Sequence, residues 1–327
     1  MTTEELTPAE VRRAALSAYR ADCCVVVVKE DGSKYPDLQE WKEYTRKRPD
    51  EALLKMWYSG NRTGMGLICG AVSGNLETFE FDDQPTYLMF KALAIASGLG
   101  DLVARIEEGY SEQSPNGIHW LTRCSEVGGN IKLARRLKRP EEMKDPNDKI
   151  KTLIETRGNG GFIITAPSYG KVHPTGQPYR LLKGGFDSIA TITAEERADL
   201  FELARSFDQM SKRVVEEPPD KGAGKSGVRP VDDFNARGDW GHLLESHGWR
   251  LVFERNGVGH WRRPGKDRGI SATTNFQGSD LLYVFSTSTL FEELRGYSKF
   301  SAYALLEHGG DFKAAVKALA GLGYGQS

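Results

Sequence analysis

The sequence predicts an α+β protein of two domains joined by a linker. Through residues 1–208, short β-branched runs alternate with amphipathic stretches of helical periodicity. Residues 209–236 are polar and rich in proline, glycine and charge, which is typical of a flexible linker. Residues 237–327 contain four short strand-like runs followed by two helical stretches. We therefore predict a large mixed domain, a linker and a small accessory α+β domain.

Composition and charge exclude several classes of protein. The 327 residues are 39% hydrophobic and 27% charged, which are ordinary values for a globular chain. A net charge of −1 excludes a globally basic nucleic-acid binder but is compatible with a local basic groove. The chain has no CxxC pair, and we expect its cysteines to be buried, reduced thiols. Reduced thiols are typical of a cytoplasmic protein, which we expect here. We find no signal-peptide pattern and no apolar run of membrane-spanning length.

The first predicted elements are a helix and two buried strands. Thr7, followed by a proline, is typical of a helix start, and we expect this helix to end near Tyr19. The β-branched run at residues 25–28 predicts a buried strand, and residues 65–72 predict another. The turn signal at residues 73–74 then predicts a hairpin between that second strand and the next one.

That next strand, at residues 76–83, alternates apolar and acidic side chains. Alternation places Glu80 and Asp82 on one face of the strand. Like charges on one face repel each other unless solvent or a cation lies between them. The pattern is therefore typical of a divalent-metal site, for which Mg²⁺ or Mn²⁺ would suit the carboxylate oxygens. A strand end with a solvated acidic face explains it equally well.

Two more polar segments adjoin predicted strands. Residues 114–121 form a turn that leads into a strand headed by His119. The turn can offer backbone N–H groups and the Ser114 hydroxyl to a phosphate, although a single histidine before a tryptophan is also typical of a structural residue. Farther along, Glu155 closes another predicted strand, and Arg157 and several glycines follow it. Glu155 is thus a third acid at a predicted strand end.

In order, the three segments FEFDD, SPNGIHW and IETRGNGGFIITAPS resemble the motifs of the bifunctional primase-polymerase domains of the archaeo-eukaryotic primase superfamily. The resemblance covers roughly residues 8–208. It implies mixed and antiparallel sheets around an RRM-like core flanked by helices, in a protein of a phage, plasmid or mobile element in a bacterial host. It also implies primer synthesis and extension, with single-stranded DNA template and primer and with NTP or dNTP substrates.

The resemblance assigns roles to individual residues. Glu80, Asp82 and Glu155 match the acidic ligands that would hold Mg²⁺ or Mn²⁺ in a two-metal mechanism. Glutamate stands at the first and third positions, where many members have aspartate, so those two side chains are one methylene longer. The residues expected to bind the nucleotide are Ser114, Asn116, His119, Arg157, Lys171 and His173. Two of them, Lys171 and His173, are also typical of exposed loop residues.

A basic run after His119 is a candidate for binding the template strand. We predict that it is helical, and its members are Lys132, Arg135, Arg136, Lys138 and Arg139. Clustered cations suit a DNA backbone, but they are equally typical of a solvated helix face.

The predicted linker contains a P-loop-like segment at residues 222–226. The first glycine of the full spacing is replaced by Pro219, and no buried strand leads into the segment, so we predict a linker there and no phosphate loop. We therefore predict no helicase ATPase in this sequence and expect a replicative helicase on a separate chain.

The small domain resembles the zinc-ribbon module of bacterial-type primases, with less specific motifs. No cysteine follows Cys124, so the zinc ligands are absent and we expect a cysteine-free relative with an aromatic core. Its cations are candidates for DNA contact or for a solvated hairpin tip: Arg262, Arg263, Lys266 and Arg268. Strands are predicted at residues 249–253, 259–262, 269–273 and 281–285, and helices at residues 298–308 and 312–319.

Two functions are consistent with these patterns. One is an active DNA primase-polymerase, which the three ordered motifs favour. The other is a replication-initiation or DNA-binding module whose centre is degenerate or serves another metal-dependent phosphotransfer. The presence of all three acids argues against degeneracy.

Overall fold

The computed structural model describes residues 6–143, 145–210, 213–216 and 228–325. Contacts within the chain define two units, one of residues 1–95 with 100–209 and one of residues 96–99 with 210–327. The P-loop-like segment at residues 222–226 lies outside the described residues. Among the residues described, no helix has the length and apolar character needed to cross a membrane.

Helices and short strands alternate through residues 6–209, as the periodicity predicts. The elements are α1 (Pro8–Arg20), β1 (Cys24–Val27), α2 (Glu51–Trp57), β2 (Met65–Ile68), β3 (Leu76–Phe81), α3 (Gln84–Ala96), α4 (Gly100–Gly109), β4 (Tyr110–Gln113), β5 (Ile118–Arg123), β6 (Ile131–Leu137), β7 (Ile150–Arg157), β8 (Phe162–Thr165), β9 (Arg180–Gly184), β10 (Ala190–Thr191) and α5 (Ala194–Arg205).

A three-stranded antiparallel sheet, in the order β1-β2-β8, forms one layer of the first unit. Helix α1 packs its buried Val11, Ala15 and Ala18 into the core that this sheet shares with its neighbours. The helix begins with the predicted cap, because the Thr7 hydroxyl accepts from the Glu10 N–H and the Glu10 carboxylate accepts from the Thr7 N–H. All four residues of β1 and of β2 are buried, which fits their unbroken apolar sequence.

The larger sheet of the first unit has the order β6-β7-β3-β5-β4-β9, and β10 adds to β5 in parallel. The predicted hairpin between residues 65–72 and the acidic strand is wrong, because β2 pairs with β1 and β8 whereas β3 pairs with β5 and β7. Between β2 and β3, Gly70, Gly74 and Asn75 all have positive φ. These residues redirect the chain from one sheet to the other, and a single bridge between Gly70 and Leu76 is what remains of the expected pairing.

Phe79 and Phe81 lie on one face of β3 and fix the sheet against the helices. Phe79 and Phe81 pack with Trp120 of β5 and Phe90 of α3, and the rings of Phe81 and Trp120 lie 4.8 Å apart in an edge-on arrangement. Because side chains alternate along a strand, Thr78 and Glu80 lie on the opposite face of β3. The aromatic core therefore determines which way the acidic face points.

The predicted helix in the basic run is wrong, since residues 131–137 form strand β6 at the edge of the larger sheet. Ile131 and Leu137 pair with Thr156 and Ile150 of β7, with irregular register between them. The spacing of the cations resembles a helical face, but pairing with β7 determines the conformation.

The second unit contains a six-stranded sheet in the order β11-β16-β15-β14-β13-β12. Its elements are β11 (Arg213–Val214), α6 (Pro230–Arg237), α7 (Trp240–Glu245), β12 (Arg250–Arg255), β13 (Val258–Arg262), β14 (Ala272–Thr274), β15 (Leu282–Val284), β16 (Arg295–Tyr297), α8 (Lys299–His308) and α9 (Phe312–Gly321). Buried Trp240, Trp249, Trp261, Phe291 and Tyr297 supply an aromatic core.

The predicted linker at residues 209–236 is too long at its carboxyl end. Helix α6 begins there with Pro230 in its first turn. Its Val231 and Phe234, three residues apart on one helix face, are buried against Phe300 of α8 and Leu319 of α9. Most of α6 therefore belongs to the packed core of the second unit and not to a linker.

Candidate active site

Three adjacent strands bring two acids and a histidine to one face of the larger sheet. Glu80 of β3 lies opposite His119 of β5 on one side and opposite Glu155 of β7 on the other. Side chains directly opposite each other in antiparallel strands are close neighbours, with Cβ atoms about 5 Å apart. Glu155 lies within β7, which continues to Arg157, and does not close the strand as expected. Asp82 follows the end of β3, where its N–H donates to the carbonyl of Leu153 over 3.0 Å.

These residues line a cavity of about 480 Å³ in the first unit. Glu80, His119 and Glu155 are buried, with at most 8% of their surface exposed, and all three line the cavity. The predicted site residues among its lining are Glu80, Asp82, Ser114, Asn116, His119, Glu155, Arg157 and His173. Residues that sequence reasoning missed include Lys34, Tyr35, Trp41, Asn130, Phe162 and Tyr179.

The acids repel each other strongly in this setting. Burial, followed by the charge of Glu80, raises the pKa of Asp82 to about 6. The same two causes, in the same order, raise the pKa of Glu155. Arg157 opposes this repulsion, since its Nη2 lies 2.5 Å from Glu155 Oε1 and its Nε lies 3.6 Å from Glu80 Oε1. The site thus has an excess of buried negative charge that one guanidinium offsets in part.

In the part of the chain described, no three histidine, cysteine or acidic side chains are arranged so that they could already hold a metal ion. The donor chemistry nevertheless fits a hard divalent cation. Glu80, Asp82 and Glu155 offer carboxylate oxygens around one cavity, and a cation there would relieve the repulsion that raises two of their pKa values.

The turn between β4 and β5 holds the second predicted motif. The Ser114 hydroxyl accepts from the Gly117 N–H over 3.0 Å, and the Ser114 N–H donates to the Gly117 carbonyl over 2.8 Å. A Cβ on Gly117 would lie 2.0 Å from the Phe81 carbonyl oxygen, so glycine is required where the turn crosses the end of β3. This close approach brings Ser114 and Asn116 to the cavity that Asp82 lines.

His119 has a buried partner, Glu112, that sequence reasoning missed. Glu112 of β4 lies opposite His119 in the strand register, and its Oε1 is 2.9 Å from His119 Nδ1. Burial alone would lower the pKa of His119, but the hydrogen bond that it donates to Glu112 and the charges of Glu80, Glu112 and Asp82 together raise it. The sequence did contain a signal for this pair. If residues 114–117 are treated as the turn of a hairpin, counting residues outward along the two strands places Glu112 opposite His119.

The two remaining phosphate-binding candidates have different surroundings. His173 lines the cavity, and burial, followed by the charge of Lys34, lowers its pKa to about 4, so its imidazole is neutral at physiological pH. Lys171 is exposed and is not among the residues that line the cavity. The structure therefore brings His173 to the site but not Lys171.

Most of the cations in the basic run pair with acids near them. Arg136 makes two 2.6 Å hydrogen bonds to Glu142, and Lys138 forms an ion pair with Asp148. Arg135 lies beside Asp208, to which its backbone N–H donates, and Arg139 is exposed next to a short 3₁₀ turn.

Lys132 lies opposite Glu155, and its charge lowers the pKa of that acid. Of this run, it is Lys132 that lies next to a cavity acid.

In the second unit, two of the candidate cations stabilise the hairpin that carries them. The Arg262 guanidinium donates to the carbonyls of Gly269 and Asp267, and Lys266 is buried with its Nζ 3.5 Å from the Ile270 carbonyl. Arg263 donates to the carbonyl of Pro264. Because of these contacts, a structural role in the hairpin accounts for Arg262 and Lys266 without a contact to DNA.

Comparison with known proteins places the chain in a family. No curated protein matches it at a significant level. The family model for the amino-terminal domain of bifunctional DNA primase/polymerases matches residues 15–195, which is more than half of the 327 residues. The matched range includes the acids, the turn before His119 and the Arg157 segment that together line the cavity. The chain therefore belongs to the bifunctional DNA primase/polymerase family.

Proposed function

We propose that this protein is a template-directed nucleotidyltransferase that synthesises and extends primers on single-stranded DNA. The observation that carries the proposal is the position of Glu80 between His119 and Glu155 on one sheet face, at the wall of a cavity that also includes Asp82. Carboxylates suited to metal ions and donors suited to phosphates thus meet in one place. Family membership supports the class of reaction.

Glu80, Asp82 and Glu155 are the residues that would hold Mg²⁺ or Mn²⁺. When bound, a pair of such ions supplies charge neutralisation at the attacking and leaving oxygens of the transfer. Burial, followed by the charge of Glu80, raises the pKa of Asp82 and of Glu155. This supports the assignment, because a bound cation would offset both effects. Arg157 pairs with both glutamates and would share their charge with any cation that enters.

The other cavity residues would position the nucleotide. His119 and the turn that contains Ser114 and Asn116 would donate to the triphosphate, with Arg157 as a further cation. Trp41 and Phe162, whose rings lie 6.4 Å apart, line the same cavity and offer an apolar surface to a base. Lys132, exposed beside Glu155, is our candidate for a contact with the DNA backbone.

We also propose that residues 1–208 are sufficient for catalysis and that residues 237–327 have an accessory role, as a cysteine-free relative of the primase zinc ribbon. The aromatic core of the second unit supports this view, because it would stabilise the fold without a metal. A replicative helicase on a separate chain and an origin in a phage, plasmid or mobile element stay predictions from the resemblance.

The deciding experiment is primer synthesis on unprimed single-stranded DNA, with Mg²⁺ or Mn²⁺ and with NTPs or dNTPs supplied separately. We expect labelled products whose sequence follows the template. Extension of a primed template by a chain of residues 1–208 would test whether these residues are sufficient for catalysis. A chain that binds DNA but incorporates no nucleotide under any of these conditions would favour the replication-initiation module instead.

A further inference from the structure

Glu112 is a fully buried carboxylate that lies behind the cavity wall. It has no exposed surface, and it is not among the residues that line the cavity. Removing a carboxylate from water is strongly unfavourable unless donors in the protein replace its hydration. Such a group in the interior therefore needs an explanation in terms of what it holds in place.

One oxygen of Glu112 is fully occupied by donors from within the protein. The hydroxyls of Tyr110 and Thr165 lie 2.8 and 2.6 Å from Oε2, and the Ala166 N–H donates to the same atom over 2.7 Å. Thr165 ends β8 of the smaller sheet, whereas Glu112 belongs to β4 of the larger one. The carboxylate thus joins the two sheets and cannot rotate without losing three hydrogen bonds.

The other oxygen, Oε1, faces His119 Nδ1 at 2.9 Å. A carboxylate oxygen can only accept, so Nδ1 must carry the hydrogen. The ring nitrogen that the cavity can use is then Nε2. If Nε2 also donates to a phosphate, both ring nitrogens carry hydrogens and the imidazole is a cation held between two anions.

We infer that Glu112 is a positioning residue for nucleotide binding: by accepting the Nδ1 hydrogen of His119 it orients the ring and leaves Nε2 to carry a second hydrogen, so that the imidazole meets the triphosphate as a cation. This inference rests on the proposed function, because it gives His119 a phosphate as its partner. Glu112 itself does not touch the nucleotide and acts through His119.

Substitution of Glu112→Gln tests the inference without changing the size of the side chain. The Ala166 N–H is a fixed backbone donor, so the amide oxygen must take the place of Oε2 and the NH₂ group must face His119. An NH₂ group can only donate, which forces Nδ1 to lose its hydrogen. The ring keeps its place but becomes neutral, with its single hydrogen on Nε2.

The matched control is Glu107→Gln. Glu107 is another buried glutamate of the first unit, bound to the Tyr87 hydroxyl and 2.7 Å from Lys91 Nζ, and it does not line the cavity. Both variants should melt at a lower temperature than wild type, because each weakens a buried hydrogen-bond network. We expect a nucleotide KM about tenfold higher for Glu112→Gln and within twofold of wild type for Glu107→Gln.

A double variant separates positioning from general stability. If Glu112 acts through His119, Glu112→Gln combined with His119→Asn should have the same kcat/KM as His119→Asn alone. Effects that multiply in the double variant would overturn the inference. So would an unchanged KM in Glu112→Gln beside a fall in melting temperature like that of Glu107→Gln.

Nitrogen NMR of the full chain with labelled histidine gives a readout that needs no activity. The His119 signals are assigned by their loss in His119→Asn, and we expect Nδ1 to carry a hydrogen in wild type and to lose it in Glu112→Gln. An unprotonated Nδ1 in wild type would overturn the inference. A wild-type chain that binds and incorporates no nucleotide would instead refute the proposed function, and the NMR result would still decide whether Glu112 places the proton.

Discussion

Glu80 and Glu155 lie directly opposite each other on β3 and β7, and both are buried. Two carboxylates in this relation repel each other, and Arg157 is the cation that pairs with both. The pair is therefore unfavourable for folding and favourable for binding a cation. This conflict leads to predictions in which stability and function change in opposite directions.

The first prediction concerns Glu155→Gln. The folded pKa of Glu155 is raised above its value of 4.5 in the unfolded chain, so the stability of the wild type falls as pH rises above 4.5. At pH 8 without metal, the variant should be more stable than wild type, by on the order of 1 kcal/mol. We expect Mn²⁺ to raise the melting temperature of wild type, and the variant should lose that rise. Thermal unfolding with and without Mn²⁺ measures both effects.

Glu142→Gln is the control for that experiment. Glu142 is an acid of the neighbouring hairpin that pairs with Arg136, and it does not line the cavity. Its replacement should leave the response to Mn²⁺ intact. A Glu155→Gln protein that keeps the full Mn²⁺ response would remove Glu155 from the set of metal ligands.

The second prediction compares two adjacent acids. Asp82→Ala should abolish nucleotidyl transfer with little loss of folding, because Asp82 lines the cavity and its charge is poorly compensated there. Asp83→Asn should keep its activity, since Asp83 accepts from the Thr86 N–H at the start of α3 and pairs with Lys151. Primer extension by both variants at matched concentration makes the comparison. Near wild-type extension by Asp82→Ala would show that the acid assignment is wrong.

Local patterns in the sequence were sufficient to predict a strand at residues 76–83, of which residues 76–81 form β3, and a turn before His119. Alternation of side chains and turn chemistry depend on residues close together in the chain. The pairing of β2 could not be predicted in this way. Its partner β8 lies almost a hundred residues farther along the chain, and the local turn signal favoured β3 instead.

Glu112 and the basic run illustrate two further limits of local patterns. Glu112 becomes informative only when the turn at residues 114–117 is treated as a hairpin that sets the register with His119. The cations of the basic run have a helix-like spacing, but pairing with β7 makes residues 131–137 a strand. Arg135, Arg136 and Lys138 lie beside acids that the sequence did not indicate as partners. In each case tertiary pairing outweighs the local signal.

The third prediction concerns the face of β3 away from the cavity. Arg197 of α5 makes hydrogen bonds of 2.6 and 2.8 Å to both oxygens of buried Glu77, and its guanidinium lies 4.1 Å from the Phe201 ring centroid. Arg197→Met would leave Glu77 buried without this partner and should lower the free energy of unfolding by about 3 kcal/mol. Chemical denaturation of the variant and wild type measures the difference.

Arg105→Met provides the comparison for Arg197. Arg105 pairs with Glu196 over 2.6 Å, but its side chain is 48% exposed, so its loss should change the free energy of unfolding by less than about 1 kcal/mol. Equal effects of the two substitutions would mean that the Glu77 pair does not hold α5 against the sheet.

The last prediction concerns the second unit and pH. His260 of β13 is buried, its ring is stacked 4.3 Å from that of Phe253, and burial lowers its pKa from 6.5 to about 4. The unfolded chain therefore binds a proton that the folded unit excludes, and stability falls as pH drops from about 6.5 to about 4. His260→Phe removes this titration, so the stability of wild type relative to the variant should fall by up to about 1.4 kcal/mol for each pH unit in that window. Urea unfolding of both proteins at several pH values measures the difference. His242 is exposed, and His242→Gln serves as the control. Parallel pH profiles for wild type and His260→Phe would show that His260 does not cause the acid sensitivity of the unit.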